Sequence, residues 1–340
     1  MQRIKTANLG KILITGGTGF VGSNLIKRLV DGGVSVRILD NNSRGMVRRL
    51  EGYLEKVDYR EGDVTDFNQV YQACKGIDTL FHLAFINGTE NFYRIPERVL
   101  EVGVKGALNT LDAAMRCGVS NYLVTSSSEV YQEPSHIPTS EEERLIIPDV
   151  KNPRFSYSGG KIITELLAIH YTAKTGLRTV ICRPHNFYGP DMGVAHVIPQ
   201  FILRMKTLSD NFRRKEIDFP IQGTGEETRS FCYIDDAVEG ILLCAILGKS
   251  REIYHIGTED EITIAGLAKE IAGLLEFKIN IIPGKRLPGG TTRRCPSIAK
   301  IRSLGYEPQT SLRKGLIKTT DWYTDDTTPR YEGNDEEIIR

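Results

Sequence analysis

Residues 11–22 constrain the fold more than any other stretch. A short apolar run at 11–15 leads into Gly16, Gly19 and Gly22. Helical periodicity follows at once, with Val21, Leu25, Ile26, Leu29 and Val30 on one face. The pattern predicts strand, tight turn, helix. A helix N-terminus leaves backbone N–H groups without partners inside the helix and carries partial positive charge, so it suits a pyrophosphate. Gly16 would allow the turn, Gly19 close approach of phosphate, and Gly22 close helix packing. A second strand pattern at 34–40 ends in Asp40, 24 residues after Gly16. That is where a carboxylate for the adenosine ribose belongs in a dinucleotide fold. Asp40 would repel a 2′-phosphate, so NAD is expected over NADP, although Arg44 close by argues the other way.

Strand patterns recur at 57–63, 78–84, 121–126 and 177–183. They alternate with helical patterns that include 95–117 and 155–174. Such alternation predicts an α/β fold with a Rossmann-type, doubly wound parallel sheet and helices on both faces. After Pro184, glycine and proline break the regularity. A strand is expected at 229–234, a helix from Asp235, and further helices at 263–276 and 311–323. The domain expectation is an NAD-binding part at 1–187 and a smaller mixed α/β substrate domain at 188–323 over the sheet's carboxyl edge. The second part is allowed segments that return to the first. Residues 324–340 form a polar tail.

Charge adds exclusions. Forty-four basic residues against 43 acidic ones give no electrostatic case for nucleic acid or an anionic membrane. The longest apolar stretch, 241–247, is too short to span a bilayer. Six scattered cysteines show no metal-type pairing and read as reduced thiols, so no metal and a cytoplasmic location are expected.

A second constellation is Tyr157 and Lys161, four residues apart and so on one helical face. An ammonium beside a phenol would lower the phenol's pKa and make Tyr157 a base toward a hydroxyl. The hydroxyls of residues 125–128 close the fifth strand, where ligands gather in this architecture.

Together these stretches resemble the extended short-chain dehydrogenase/reductase family, in particular its nucleotide-sugar epimerases and dehydratases. The similarity runs over about residues 10–323. It rests on GGTGFVG at 16–22, Asp40, Gly62-Asp63-Val64, His82-Leu83-Ala84, SSSEVY at 126–131, YSGGK at 157–161, RPHNFYGP at 183–190, RSFCYIDD at 229–236 and an arginine before Pro296. The resemblance implies NAD held by Gly16, Gly19, Phe20, Val21, Gly22, Asp40, Asn41, Asp63, Val64, Leu83, Ala84, Tyr157 and Lys161. It implies Ser127, Tyr157 and Lys161 as the catalytic set. Ser128, Asn186, Arg229, Arg294 and His196 would bind a nucleotide-diphosphate sugar, with Arg293 as an alternative to Arg294. A homodimer through the two long helices is implied as well.

The shared first step would be oxidation at a sugar carbon, commonly C4, with Tyr157 as base. The leading expectation is an NAD-dependent epimerase. A dehydratase, a decarboxylase or a 4-oxidase that uses Glu129 as acid/base is the alternative, and a non-catalytic NAD-binding protein the remote one. Dehydratases of the family show Asp-Glu where this chain has Ser128-Glu129, and Ser-Glu is similar to UDP-glucuronate decarboxylases. Gly103, where many relatives have asparagine, and Gln132, where they have glycine, also depart from the pattern. His185 is unusual in its segment and is read as structural.

Overall fold

The computed structural model describes residues 6–285 and 291–325. Residues 326–340, most of the expected tail, lie outside the described residues. Six strands of the amino-terminal half are β1 (Ile12–Thr15), β2 (Val36–Asp40), β3 (Asp58–Glu61), β4 (Thr79–His82), β5 (Asn121–Thr125) and β6 (Arg178–Pro184). With Glu252–Ile256 they form a seven-stranded sheet ordered Glu252–Ile256, β6, β5, β4, β1, β2, β3. Every pairing in it is parallel. The winding reverses between β1 and β4, and a crevice opens there beyond the strands' carboxyl ends.

β1 is buried along its whole length. Its successive side chains enter different cores: Ile12 and Ile14 join one hydrophobic cluster and Leu13 the other. Helices cover both faces, so a continuous apolar run is what such a strand requires. The first cluster continues into the carboxyl half through Phe201, Phe219, Leu267 and Leu316.

Strand Glu252–Ile256 was not anticipated from the sequence. It lies parallel to β6, with Glu252 opposite Val180, and the helix Ile234–Leu247 makes the crossover. That helix buries ten of its residues, which suits an element enclosed between layers. The expected strand at 229–234 is divided into Thr228–Ser230 and Cys232–Tyr233, which pair with different partners. The expected helix at 95–117 runs as Pro96–Leu100, a π-turn at Glu101–Lys105, and Gly106–Cys117.

In the carboxyl half, Thr228–Ser230 is the middle strand of a small sheet. Glu261–Thr263 flanks it antiparallel and Arg293–Arg294 parallel. This pairing sets Arg294 directly opposite Arg229. Among the described residues no helix is long and apolar enough to cross a membrane.

Candidate active site

The glycine turn has the geometry that its residues predict. Gly16 has φ of +75°, and a Cβ there would stand 2.7 Å from the Ala84 backbone nitrogen. A Cβ on Gly22 would stand 2.3 Å from the Gly16 carbonyl oxygen. Gly19 caps the helix Phe20–Asp31 in an extended conformation, without a side-chain cap. Phe20 and Val21 form the first turn, so their amides lack partners within the helix.

Asp40, at the end of β2, accepts hydrogen bonds from the Thr18 amide at 2.9 Å and the Asn42 amide at 2.9 Å. The Asn41 side chain donates to Asp63 Oδ2 at 3.0 Å. Burial opposes the charge of Asp63, but bonds from Thr65 and Asn41, with Arg98 nearby, hold its carboxyl below the usual range. Leu83 follows β4, and its amide donates to Thr15 O at 3.1 Å. Gly16, Gly19, Asp40, Asn41, Val64, Leu83 and Ala84 line a single crevice. A side chain at Gly16 or Gly22 would fill the turn itself, so this cradle fits a dinucleotide pyrophosphate.

Tyr157, on the helix Ser156–Leu166, adjoins the crevice through Phe85, which lines it. Phe92 stacks on its ring at 4.8 Å and Phe85 meets it edge-on at 5.1 Å. Ser127 acts on the hydroxyl to favour its ionised form. Ser127 also accepts from the Glu129 amide at 3.1 Å, which starts the short helix Ser128–Tyr131. Lys161 donates to the Thr125 carbonyl at 2.6 Å, and its ammonium lies 3.9 Å from the Phe85 ring centre.

This geometry corrects one expectation. Burial pushes the Tyr157 phenol up to about 12 in the ligand-free protein, against the lowering effect of Ser127. Burial also pushes Lys161 down to about 7, against Glu165. The ammonium is engaged by a carbonyl and an aromatic face, so it does not set the phenol's acidity here.

Glu129 faces the site. Its Oε1 accepts from Arg294 at 2.7 Å, and Arg154 stands 4.0 Å from Oε2. Burial opposes its charge, yet Arg294, then Arg154 and Arg229, hold the carboxyl below the usual range. Arg229 donates to the carbonyls of Thr228 at 2.7 Å and Thr291 at 2.8 Å. Asn186, at φ of +42°, donates to Ser230 O at 2.9 Å. Ser128 is buried. His196 caps the helix Val197–Leu208, and burial, reinforced by Arg44, pushes it down to about 4. Arg293 instead pairs outside the cluster with Glu261, at 2.5 Å.

A buried network fixes the short helix that carries Glu129. Tyr131 bonds His255 Nε2 at 2.6 Å and also receives Arg183. Arg183 is paired with Glu165 at 2.6 Å. His185 packs against His255 at 4.6 Å between ring centres, in this same buried layer.

Sequence reasoning missed Phe85, Phe92, Arg98 and Arg154. Phe85 also accounts for Gly103: a Cβ there would meet the Phe85 ring at 2.3 Å, and one on Gly160 at 3.1 Å. The ring occupies the space that those two glycines leave.

A sheet reversing at a glycine-lined crevice, with tyrosine and lysine packed against Phe85 of its lining and serine acting on the tyrosine, defines a dehydrogenase-type nucleotide site. Residues 12–257 match the model of the NAD dependent epimerase/dehydratase family, and the chain belongs to that family. It is an NAD-dependent nucleotide-sugar enzyme of the short-chain dehydrogenase/reductase type. It is 32% identical to a UDP-N-acetyl-alpha-D-glucosaminuronate decarboxylase of Bacillus cytotoxicus, over 92% of this chain and 97% of that one. Identity to UDP-glucuronic acid decarboxylase 6 of Arabidopsis thaliana is also 32%, over 90% and 86%. Among solved structures, a dTDP-glucose 4,6-dehydratase from Streptomyces venezuelae with NAD bound aligns with a TM-score of 0.82. It is 27% identical, over 93% of this chain and 97% of that one. A UDP-glucose 4-epimerase from Thermotoga maritima aligns at 0.81 with 26% identity, over 92% and 98%.

Proposed function

We propose that this enzyme decarboxylates a nucleotide-diphosphate hexuronate, in place of the epimerisation that the motifs put first. The observation that carries the reading is the Glu129–Arg294 pair at 2.7 Å, beside Tyr157 and Ser127. A plain C4 epimerase has no use for that carboxylate. The two decarboxylase relatives support the same reading.

Residues 1–187 hold NAD in this reading, and residues 188–323 mainly the nucleotide sugar. Arg229 and Arg294 hold the diphosphate, with Asn186 and His196 along the same pocket. Bound NAD supplies a reversible hydride acceptor, so C4 of the sugar is a ketone for part of the cycle. Tyr157 takes the proton of the C4 hydroxyl and returns it at the end. Its pKa must fall from about 12 for this, and Ser127 and Arg294 act in that direction.

With C4 a ketone, the carboxylate on C5 belongs to a β-keto acid. The C5–carboxyl bond breaks, CO2 leaves, and the electron pair passes into the C4 carbonyl as an enolate. Ser127 and the Tyr157 hydroxyl hydrogen-bond the enolate oxygen. A proton must then reach C5. Glu129 is ionised in the free enzyme, but a second carboxylate brought beside it raises its pKa. It takes up a proton as substrate binds and delivers it to C5.

The reading also includes a homodimer and a cytoplasmic setting. The helical segments 96–117 and 156–171 pack together and leave Leu100, Ile163, Leu166 and Tyr171 exposed. All six cysteines are free.

Parallel incubations of the NAD-loaded enzyme with UDP-glucuronate and UDP-glucose test the reaction. CO2 and a UDP-pentose are expected from the first, and no net conversion of the second. Rapid C4 inversion of UDP-glucose, with no CO2 from UDP-glucuronate, would return epimerisation to first place.

A further inference from the structure

Arg154 is built into the site more rigidly than a surface arginine and satisfied less well than any guanidinium around it. Asn152 accepts the Arg154 amide at 3.0 Å, Pro153 fixes the first turn, and the short helix Pro153–Phe155 runs straight into the one that carries Tyr157. Arg154 therefore stands one turn before Tyr157, on the same rigid element. Its side chain is 18% exposed. The nearest acid, Glu129, is 4.0 Å away, too far for a hydrogen bond. Its Nε is buried and has no hydrogen-bond partner among the described residues.

The neighbouring arginines are not like this. Arg294 donates to Glu129 and Thr291, Arg229 to the carbonyls of Thr228, Thr291 and Thr292, and Arg183 to Glu165, Tyr131 and Glu141. A buried guanidinium with an unused donor is costly unless something completes it. Its planar fork matches a carboxylate. Three guanidinium groups, those of Arg154, Arg229 and Arg294, stand around the single carboxylate of Glu129. In the proposed reading Arg229 and Arg294 hold the diphosphate, which leaves Arg154, one turn before Tyr157, for the sugar.

We infer that Arg154 binds the C5 carboxylate of the substrate and makes the site selective for nucleotide hexuronates over the matching neutral hexoses. The inference rests on the proposed decarboxylase reading for its substrate, but binding tests it apart from turnover. A neutral hexose offers a hydroxymethyl group at that position and leaves the guanidinium unsatisfied. A hexuronate completes it and draws it from Glu129, which lets Glu129 take up its proton.

Calorimetric titration of the NAD-loaded enzyme with UDP-glucuronate and UDP-glucose reads the effect. Wild type is expected to prefer UDP-glucuronate. Arg154→Gln should weaken UDP-glucuronate binding by about 30-fold and UDP-glucose binding by less than about twofold. Arg154→Lys keeps the charge without the fork and should fall between. Should the glutamine variant not fold, the lysine variant carries the same ratio test, with NAD binding as the check on its fold. An arginine that only supported Glu129 or the helix would weaken both ligands equally, and an unchanged ratio or an equal loss overturns the inference. So does failure of wild type to bind UDP-glucuronate. A ratio that collapses in Arg154→Gln while wild type releases no CO2 keeps the carboxylate site and removes the decarboxylation. CO2 release with a ratio that Arg154→Gln does not alter does the reverse.

Discussion

Tyr157→Phe is expected to lower turnover of UDP-glucuronate by roughly 10³-fold, the scale of a lost general base. Binding of NAD should stay within about twofold, because the pyrophosphate cradle is untouched. The substitution removes one oxygen and almost no volume. Phenylalanine keeps the stacked contact with Phe92 and the edge contact with Phe85. Ser127 still accepts from the Glu129 amide, so the short helix Ser128–Tyr131 keeps its cap. Steady-state assay together with an NAD titration checks both parts. Turnover close to wild type would remove Tyr157 from the chemistry. Parallel loss of NAD binding would mean that the variant reports on folding instead.

Glu129→Gln should have the next largest effect, a fall of roughly 10²- to 10³-fold in pentose formation. An amide matches the carboxylate in size but neither carries a negative charge nor delivers a proton. Arg294 then loses its charged partner and is free for an anionic ligand. Binding of UDP-glucuronate is therefore expected to be unchanged or tighter while turnover collapses. In an enzyme that only inverts C4, the same variant would turn over close to wild type. A rise in KM at constant kcat would also count against the acid role, because it would mark Glu129 as a ground-state contact.

The parts of this site that depend on near neighbours in the chain are legible in the sequence. Gly16, Gly19 and Gly22 are dictated by a strand-to-helix turn with no room for side chains. Asp40 follows from the end of the next strand, and Tyr157 and Lys161 from one helical turn. Distant partners decide the rest. That Glu129 faces the site depends on Arg294, delivered by a two-residue strand that pairs with Thr228–Ser230. Glu252–Ile256 is short, and it joins the sheet only because the helix Ile234–Leu247 brings it back beside β6. Phe85 and Gly103 read as unrelated residues until one is seen to fill the space left by the other. The acidity of Tyr157 was misjudged from spacing because an i, i+4 relation fixes a shared face but not what the lysine touches. Lys161 is engaged by the Thr125 carbonyl, and burial governs the phenol. Arg154 lay in plain view three residues before Tyr157, but only its buried, unpartnered Nε distinguishes it.

The most direct test is a conversion of UDP-glucuronate in heavy water, with the product followed by mass and proton spectra and the released gas trapped. The account predicts a UDP-pentose with one solvent deuterium at C5, in a single configuration, and one CO2 for each product molecule. Recovery of a UDP-hexuronate that keeps its carboxylate, with C4 inverted and no deuterium at C5, would contradict it.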